Sequence, residues 1–174
     1  MHNKMFLGIV SILMAASLSL TFATTTNQSY GEKYFATLNG SNSFPPVDTN
    51  ASGMAEINIE ENNSTFSLMV NDIYNATVAH IHKGIAGENG PHVFTLFAIG
   101  NPSEQQKILE INGTISSEGF EGPLVGKTMS DLTEMMNNGT AYINIHNEQH
   151  PKEFLRGKIV PDNVMVALAH WLIS

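Results

Sequence analysis

Two histidines, two residues apart at the end of an apolar run, are the most chemically suggestive feature of the sequence. They lie in Ala79-His80-Ile81-His82, and a loop rich in glycine, asparagine and proline follows at residues 84–91. Side chains two positions apart on a β-strand point to the same side. The spacing therefore predicts two neighbouring imidazoles at the point where a strand gives way to a turn.

A third histidine, His146, ends a later strand-like segment that starts near Thr140. Aliphatic and polar residues alternate along it, which places His146 on the more polar face of that strand. The same alternation puts His80 and His82 on the more polar face of theirs. If the two strands are neighbours, the three imidazoles can converge.

Three neutral imidazoles suit copper(II) or zinc(II), with a fourth position open to water or a carboxylate. We therefore expect a copper or zinc site at His80, His82 and His146. Residues near the same strand ends could add ligands, namely His92, His150, Glu148 and Glu153. The alternative is structural, with His80 and His146 hydrogen-bonding loop backbone and holding the glycine turn against the last hairpin.

Arg156 is expected to form a structural ion pair rather than to recognise a ligand. The acidic residues that could pair with it are Asp72, Glu148 and Glu153.

Catalytic motifs give little support to an enzyme. The chain has no cysteine, no Gly-x-Ser-x-Gly nucleophile elbow and no paired acids at an identifiable site. A superoxide dismutase also carries a His-x-His strand on a β-sandwich, but it needs more histidines in a defined order. A metal-dependent redox enzyme and a purely structural cell-envelope component remain the alternatives to a binding or surface module.

Short alternating segments separated by turn residues are expected to hold the histidines. They predict an all-β, antiparallel sandwich of seven or eight strands. One short helix is expected, with Ser130 as its N-cap, acidic residues in its first turn and Asn138-Gly139 as its stop. The strand candidates lie at residues 34–38, 53–60, 65–70, 76–82, 92–98, 108–115, 140–146 and 154–160.

The N-terminus has the layout of a secretory signal. A positively charged start and an apolar run predict a signal peptide over residues 1–23, followed by a polar linker over 24–33. An uncleaved membrane anchor is the alternative. Asn-x-Ser/Thr sequons agree with export and glycosylation, at Asn27, Asn39, Asn50, Asn62, Asn63, Asn75, Asn112 and Asn138.

The overall charge limits the partners. A chain of 174 residues with a formal net charge of -8 is poorly suited to nucleic acid or anionic lipid. Residues 161–174 form an apolar C-terminal tail, too short to cross a bilayer as a helix. A membrane is therefore expected as a partner only through an uncleaved signal or this tail.

The sequence resembles the CHRD domain, a repeat first described in chordin and found singly in many secreted microbial proteins. The resemblance spans residues 34–160. It rests on three blocks in the family's order: Phe35 to Asn42 with Pro45-Pro46-Val47 and Gly53; Ala79 to Gly84 with Gly87, Asn89-Gly90-Pro91 and Val93; and Gly139 to His146 with Pro151 and Leu155 to Ile159.

This resemblance implies an immunoglobulin-like or dismutase-like sandwich at the cell surface or outside the cell, with no established catalytic activity. Its partner would be an extracellular ligand or a cell-envelope component that the resemblance does not name. The chain departs from the family at Lys152-Glu153-Phe154, where Gly-Gly-Glu is usual, and at Phe44, where an acidic residue is usual. The displaced Glu153 is expected on the opposite face of its strand.

Overall fold

Antiparallel β-strands are the main elements of the computed structural model, which describes residues 31–60, 63–99 and 106–164. The helix α1, three short 3-10 helices and a helical stretch at residues 162–164 complete these segments. The elements are β1 (Glu32–Asn39), β2 (Ser52–Ile59), β3 (Ser64–Ile73), β4 (Ala76–Lys83), β5 (His92–Ala98), β6 (Gln106–Ile115), α1 (Met129–Asn137), β7 (Ala141–Asn147), β8 (Leu155–Lys158) and β9 (Val160–Pro161).

The strands form one hydrogen-bonded sheet in the order β5-β4-β7-β8-β1-β2-β3-β6, with β9 beside β1. Its two four-stranded halves meet between β8 and β1, where a single register pair joins Asn39 to Arg156. The backbones approach closely there, because a Cβ on Gly157 would lie 2.7 Å from the carbonyl oxygen of Thr37. Only glycine fits at that point without moving one half against the other.

One hydrophobic core is shared by the two halves. The aliphatic face predicted for the late strand is correct, since Ala141, Ile143 and Ile145 on β7 are fully buried. They belong to the same cluster as Leu38 of β1 and Leu68 of β3, which lie in the other half. The sheet thus buries one face of each half in a common interior.

The all-β antiparallel fold expected from the sequence is confirmed, while the expected division into two sheets of a sandwich is not. Strand β1 begins at Glu32, inside the stretch expected to be a linker, and Pro161 of the expected tail belongs to β9. The predicted signal peptide and residues 165–174 of the apolar tail lie outside the described residues.

The short helix is present, but its N-cap is not the expected Ser130. The Thr128 side chain accepts a hydrogen bond from the Asp131 backbone N–H, and the Asp131 carboxylate accepts one from the Thr128 N–H in return. This reciprocal capping box starts the helix two residues earlier. The helix stops as predicted, with Asn138 as C-cap and Gly139 at a φ of 66°.

Candidate metal centre

The two histidine-bearing strands are neighbours. β4 and β7 pair directly, with His80 opposite Asn144 and His82 opposite Tyr142. His146 lies two residues beyond Asn144 on the same face of β7. Side chains from adjacent antiparallel strands meet on a shared face, so this register places all three histidines together.

The imidazoles form a compact cluster. One ring nitrogen from each of His80, His82 and His146 lies within 4.8 Å of the others. The ring centroid of His80 lies 5.6 Å from that of His82 and 5.4 Å from that of His146. Zinc binds imidazole nitrogen at about 2.0–2.1 Å, so a single ion between these nitrogens needs only small side-chain adjustments.

The face of the sheet that carries the cluster is buried beneath loops. Strand alternation predicted only that this face would be the more polar of the two. His82 is 9% exposed and His146 is 8% exposed. Two segments, which we call the covering loops, are residues 84–91 and 148–154. His82 Nδ1 contacts the Gly90 carbonyl at 2.9 Å, and His146 Nδ1 contacts the Pro151 carbonyl at 3.0 Å.

These two contacts determine which ring nitrogen carries the proton. A carbonyl oxygen only accepts hydrogen bonds, so Nδ1 of His82 and of His146 must be the protonated nitrogen. In the neutral rings each Nε2 then keeps its lone pair. Both Nε2 atoms and Nδ1 of His80 are buried and have no hydrogen-bond partner within the described residues. The lone pairs of the two Nε2 atoms therefore lack a protein donor, and Nδ1 of His80 lacks a partner of either kind.

The rings are neutral near pH 7. Burial, together with repulsion between the imidazoles, lowers the pKa of His80 and of His82 to about 4. Burial also lowers the pKa of His146. Metal ions bind the neutral form of imidazole, so these rings need not lose a proton first.

The structural alternative is realised in part. His146 hydrogen-bonds loop backbone as expected, whereas the contact with the glycine turn that was expected of His80 is made by His82. Only glycine fits at position 90, where a Cβ would lie 1.7 Å from the Lys83 carbonyl oxygen. In metal proteins a ligating histidine usually donates its other ring N–H to a backbone carbonyl or carboxylate. The loop contacts therefore do not compete with metal binding.

His92 lies beside the cluster without joining it. Its ring stacks on His80 with centroids 5.0 Å apart, and its Nε2 lies 3.0 Å from Glu121 Oε2. Its side chain is 52% exposed, so it borders the cluster on the solvent side.

The other three reserve ligands have different partners. His150 stacks on Phe154, and a Glu148 oxygen accepts a hydrogen bond from the Asn75 amide at 2.8 Å. Glu153 accepts one from the Phe44 backbone N–H at 2.8 Å and pairs with Arg156 at 3.5 Å. In the described part of the chain, none of these three residues places a ligand atom within 4.8 Å of all three cluster histidines.

Arg156 supports the cluster from β8. Its guanidinium carbon lies 3.5 Å from the Tyr142 ring centroid, and that ring stacks on His82 at 5.0 Å. It also donates a hydrogen bond of 2.8 Å to the Ile85 carbonyl of the first covering loop. Of its three expected partners, Glu153 is the one that the structure places beside it.

Sequence reasoning assigned no role to Tyr142 and Asn144. Strand alternation already put both on the face of His146, and that was the only available signal. Their significance depends on the register between β4 and β7, which sequence alternation does not give.

Comparison with known proteins supplies the family. The CHRD domain model matches residues 34–159. The chain belongs to the CHRD family. Neither a search of curated proteins nor a search of solved structures found a match. CHRD domains occur generally in extracellular proteins, and no helix among the described residues is long and apolar enough to cross a membrane.

Proposed function

We propose that this CHRD protein is an exported binding or surface module that holds one copper(II) or zinc(II) ion on His80, His82 and His146. The observation that carries the proposal is that one ring nitrogen from each of the three imidazoles lies within 4.8 Å of the others, and that each ring has a buried nitrogen without a hydrogen-bond partner in the described structure. An unpaired buried polar atom costs about 1–3 kcal/mol. A metal ion would engage one nitrogen lone pair from each ring at once.

The chemistry of the ligand set favours these metals. Imidazole nitrogen suits zinc and copper, whereas magnesium and calcium prefer oxygen ligands. The neutral rings, with pKa values lowered by burial, are in the metal-binding form near pH 7. The Gly90 and Pro151 carbonyls orient two of the rings through their Nδ1–H groups.

Export, glycosylation and a sandwich arrangement belong to the same proposal. The signal-like N-terminus and the extracellular setting of the family support export. Four sequon asparagines, Asn50, Asn63, Asn112 and Asn138, are exposed and so accessible to glycosylation. The single register pair between the sheet halves, around one shared core, supports two layers that face each other.

Metal analysis of the purified, tag-free protein tests the site. After incubation with copper or zinc and desalting, we expect about one equivalent bound. The His80→Ala/His146→Ala double variant should lose it, because two of the three ligands are gone. The matched control is His150→Ala, which removes a nearby histidine that stacks on Phe154 and should keep the full equivalent.

Less than about a tenth of an equivalent in the wild-type protein, or equal affinity in the double variant, would remove the metal site from the proposal. If metal binds, an assay of superoxide and peroxide turnover separates a redox enzyme from a binding module. We expect no turnover.

A further inference from the structure

A fourth buried acceptor lies on the same face as the histidine cluster. Asn144 is 2% exposed, and its Oδ1 has no hydrogen-bond partner within the described residues. It stands opposite His80 in the β4–β7 register and two residues from His146. Directly opposed strand residues have Cβ atoms about 4.5–5.5 Å apart. The unpaired oxygen therefore belongs to the immediate surroundings of the three imidazoles.

The orientation of this amide is set by the second covering loop. Asn144 Nδ2 donates a hydrogen bond to the Lys152 carbonyl at 3.4 Å. Because that carbonyl only accepts, the nitrogen must face the loop and the oxygen must take the other side. A flipped amide would place two acceptors against each other. The free oxygen is thus a consequence of the loop contact.

We propose that Asn144 Oδ1 accepts a hydrogen bond from the fourth ligand of the metal, which is therefore a hydrogen-bond donor such as water. The inference rests on the proposed function, since it deepens the same site. A neutral amide oxygen suits harder ions than copper or zinc. Asn144 therefore acts as a positioning residue for the exogenous ligand and leaves the metal to the three imidazoles.

Neighbouring polar side chains on this face are engaged elsewhere. The Tyr142 hydroxyl accepts a hydrogen bond from the Gly90 backbone N–H at 3.0 Å. Arg156 has no acceptor atom, and its donors contact Ile85, Asn89 and Glu153. The Asn144 oxygen makes this position selective for ligands that carry hydrogen, and it disfavours anions such as azide.

Azide titration of the copper(II)-loaded protein, followed by its charge-transfer absorption, tests this selectivity. In Asn144→Leu the competing water loses its acceptor, so azide should bind about five- to tenfold more tightly. In Asn144→Asp the acceptor is kept and gains negative charge, so azide should bind more weakly than to wild type. Thr95→Val is the control: Thr95 lies opposite His80 on the β5 side, and its hydroxyl already donates to Glu121 at 2.8 Å.

The two variants move azide affinity in opposite directions, which general destabilisation would not do. Circular dichroism and copper stoichiometry verify that each variant is folded and loaded. If Asn144→Leu fails to load copper, weaker azide binding in Asn144→Asp supports the inference, and unchanged binding overturns it. Equal azide affinities in wild type and both variants overturn the role of Asn144 while the metal site stands. A wild-type protein that holds no copper overturns the proposed function itself.

Discussion

Each histidine of the cluster carries an energetic penalty for protonation. Burial keeps the pKa of His80 and His82 near 4, against about 6.5 for an exposed ring. Above pH 6.5 both rings are neutral in the folded and in the unfolded chain, so the free energy of unfolding does not depend on pH through them. Below pH 6.5 the rings are protonated in the unfolded chain but stay neutral in the folded chain, and the free energy of unfolding falls.

We predict that the metal-free protein, prepared with a chelator, loses about 5 kcal/mol of unfolding free energy between pH 6.5 and 4 through these two rings. Urea denaturation at a series of pH values measures this loss. His80→Gln/His82→Gln is the reference, because glutamine does not titrate and other groups, including Glu153, titrate in both proteins. A wild-type curve parallel to that of the variant would contradict the prediction.

At the scale of the elements, α1 depends on a cap that the sequence pattern misidentified. Replacing Thr128 by alanine removes the hydroxyl that accepts from the Asp131 N–H. We expect a loss of about 1 kcal/mol in unfolding free energy, measured by thermal or urea denaturation. Ser130→Ala is the matched control. Ser130 is exposed inside the first turn, so its replacement should change stability by less than about 0.5 kcal/mol. A larger loss of unfolding free energy in Ser130→Ala than in Thr128→Ala would identify Ser130 as the N-cap.

The strands were predictable because alternating side chains report directly on a half-buried sheet. β2, at Ser52–Ile59, lies within one residue of the alternating segment 53–60 at each end, and β5, at His92–Ala98, has the bounds expected from a continuous apolar run. The cap could have been found in the sequence, since Thr128 has an acidic residue three positions later, Asp131, as a capping box requires, whereas Ser130 has Thr133 there.

The candidate site was likewise predictable from the sequence only in part. Alternation placed His80, His82 and His146 on corresponding faces, but the pairing of their strands came only with the structure. Burial of that face was missed because the covering loops are polar in sequence. Their contacts with His82 and His146 use backbone carbonyls, which every residue carries and no side-chain pattern reveals.

At the scale of the whole molecule, Arg156 connects parts that are distant in the chain. It pairs with Asn39 across the joint between the sheet halves and donates to Ile85 in the first covering loop. Its buried partner Glu153 also holds the backbone of Phe44. One ionic contact thus ties together both halves and both covering loops.

Removing this charge should therefore destabilise the whole fold. We predict a loss of about 3 kcal/mol for Arg156→Met, because a buried carboxylate is left without its counter-charge. Lys33→Met is the control, since it breaks an ion pair with Glu56 that is largely exposed and should cost less than about 1 kcal/mol. Urea denaturation compares the two variants. Equal losses of unfolding free energy would show that the buried ion pair stabilises the fold no more than the exposed one.

The covering loops are far apart in sequence, yet each is fastened by an imidazole N–H from one cluster, His82 for the first and His146 for the second. Lifting either loop breaks its histidine contact and admits water beside the remaining rings. The two covering loops therefore shield the same three imidazoles from one side, and a change in either loop alters the surroundings of a cluster that the other also covers.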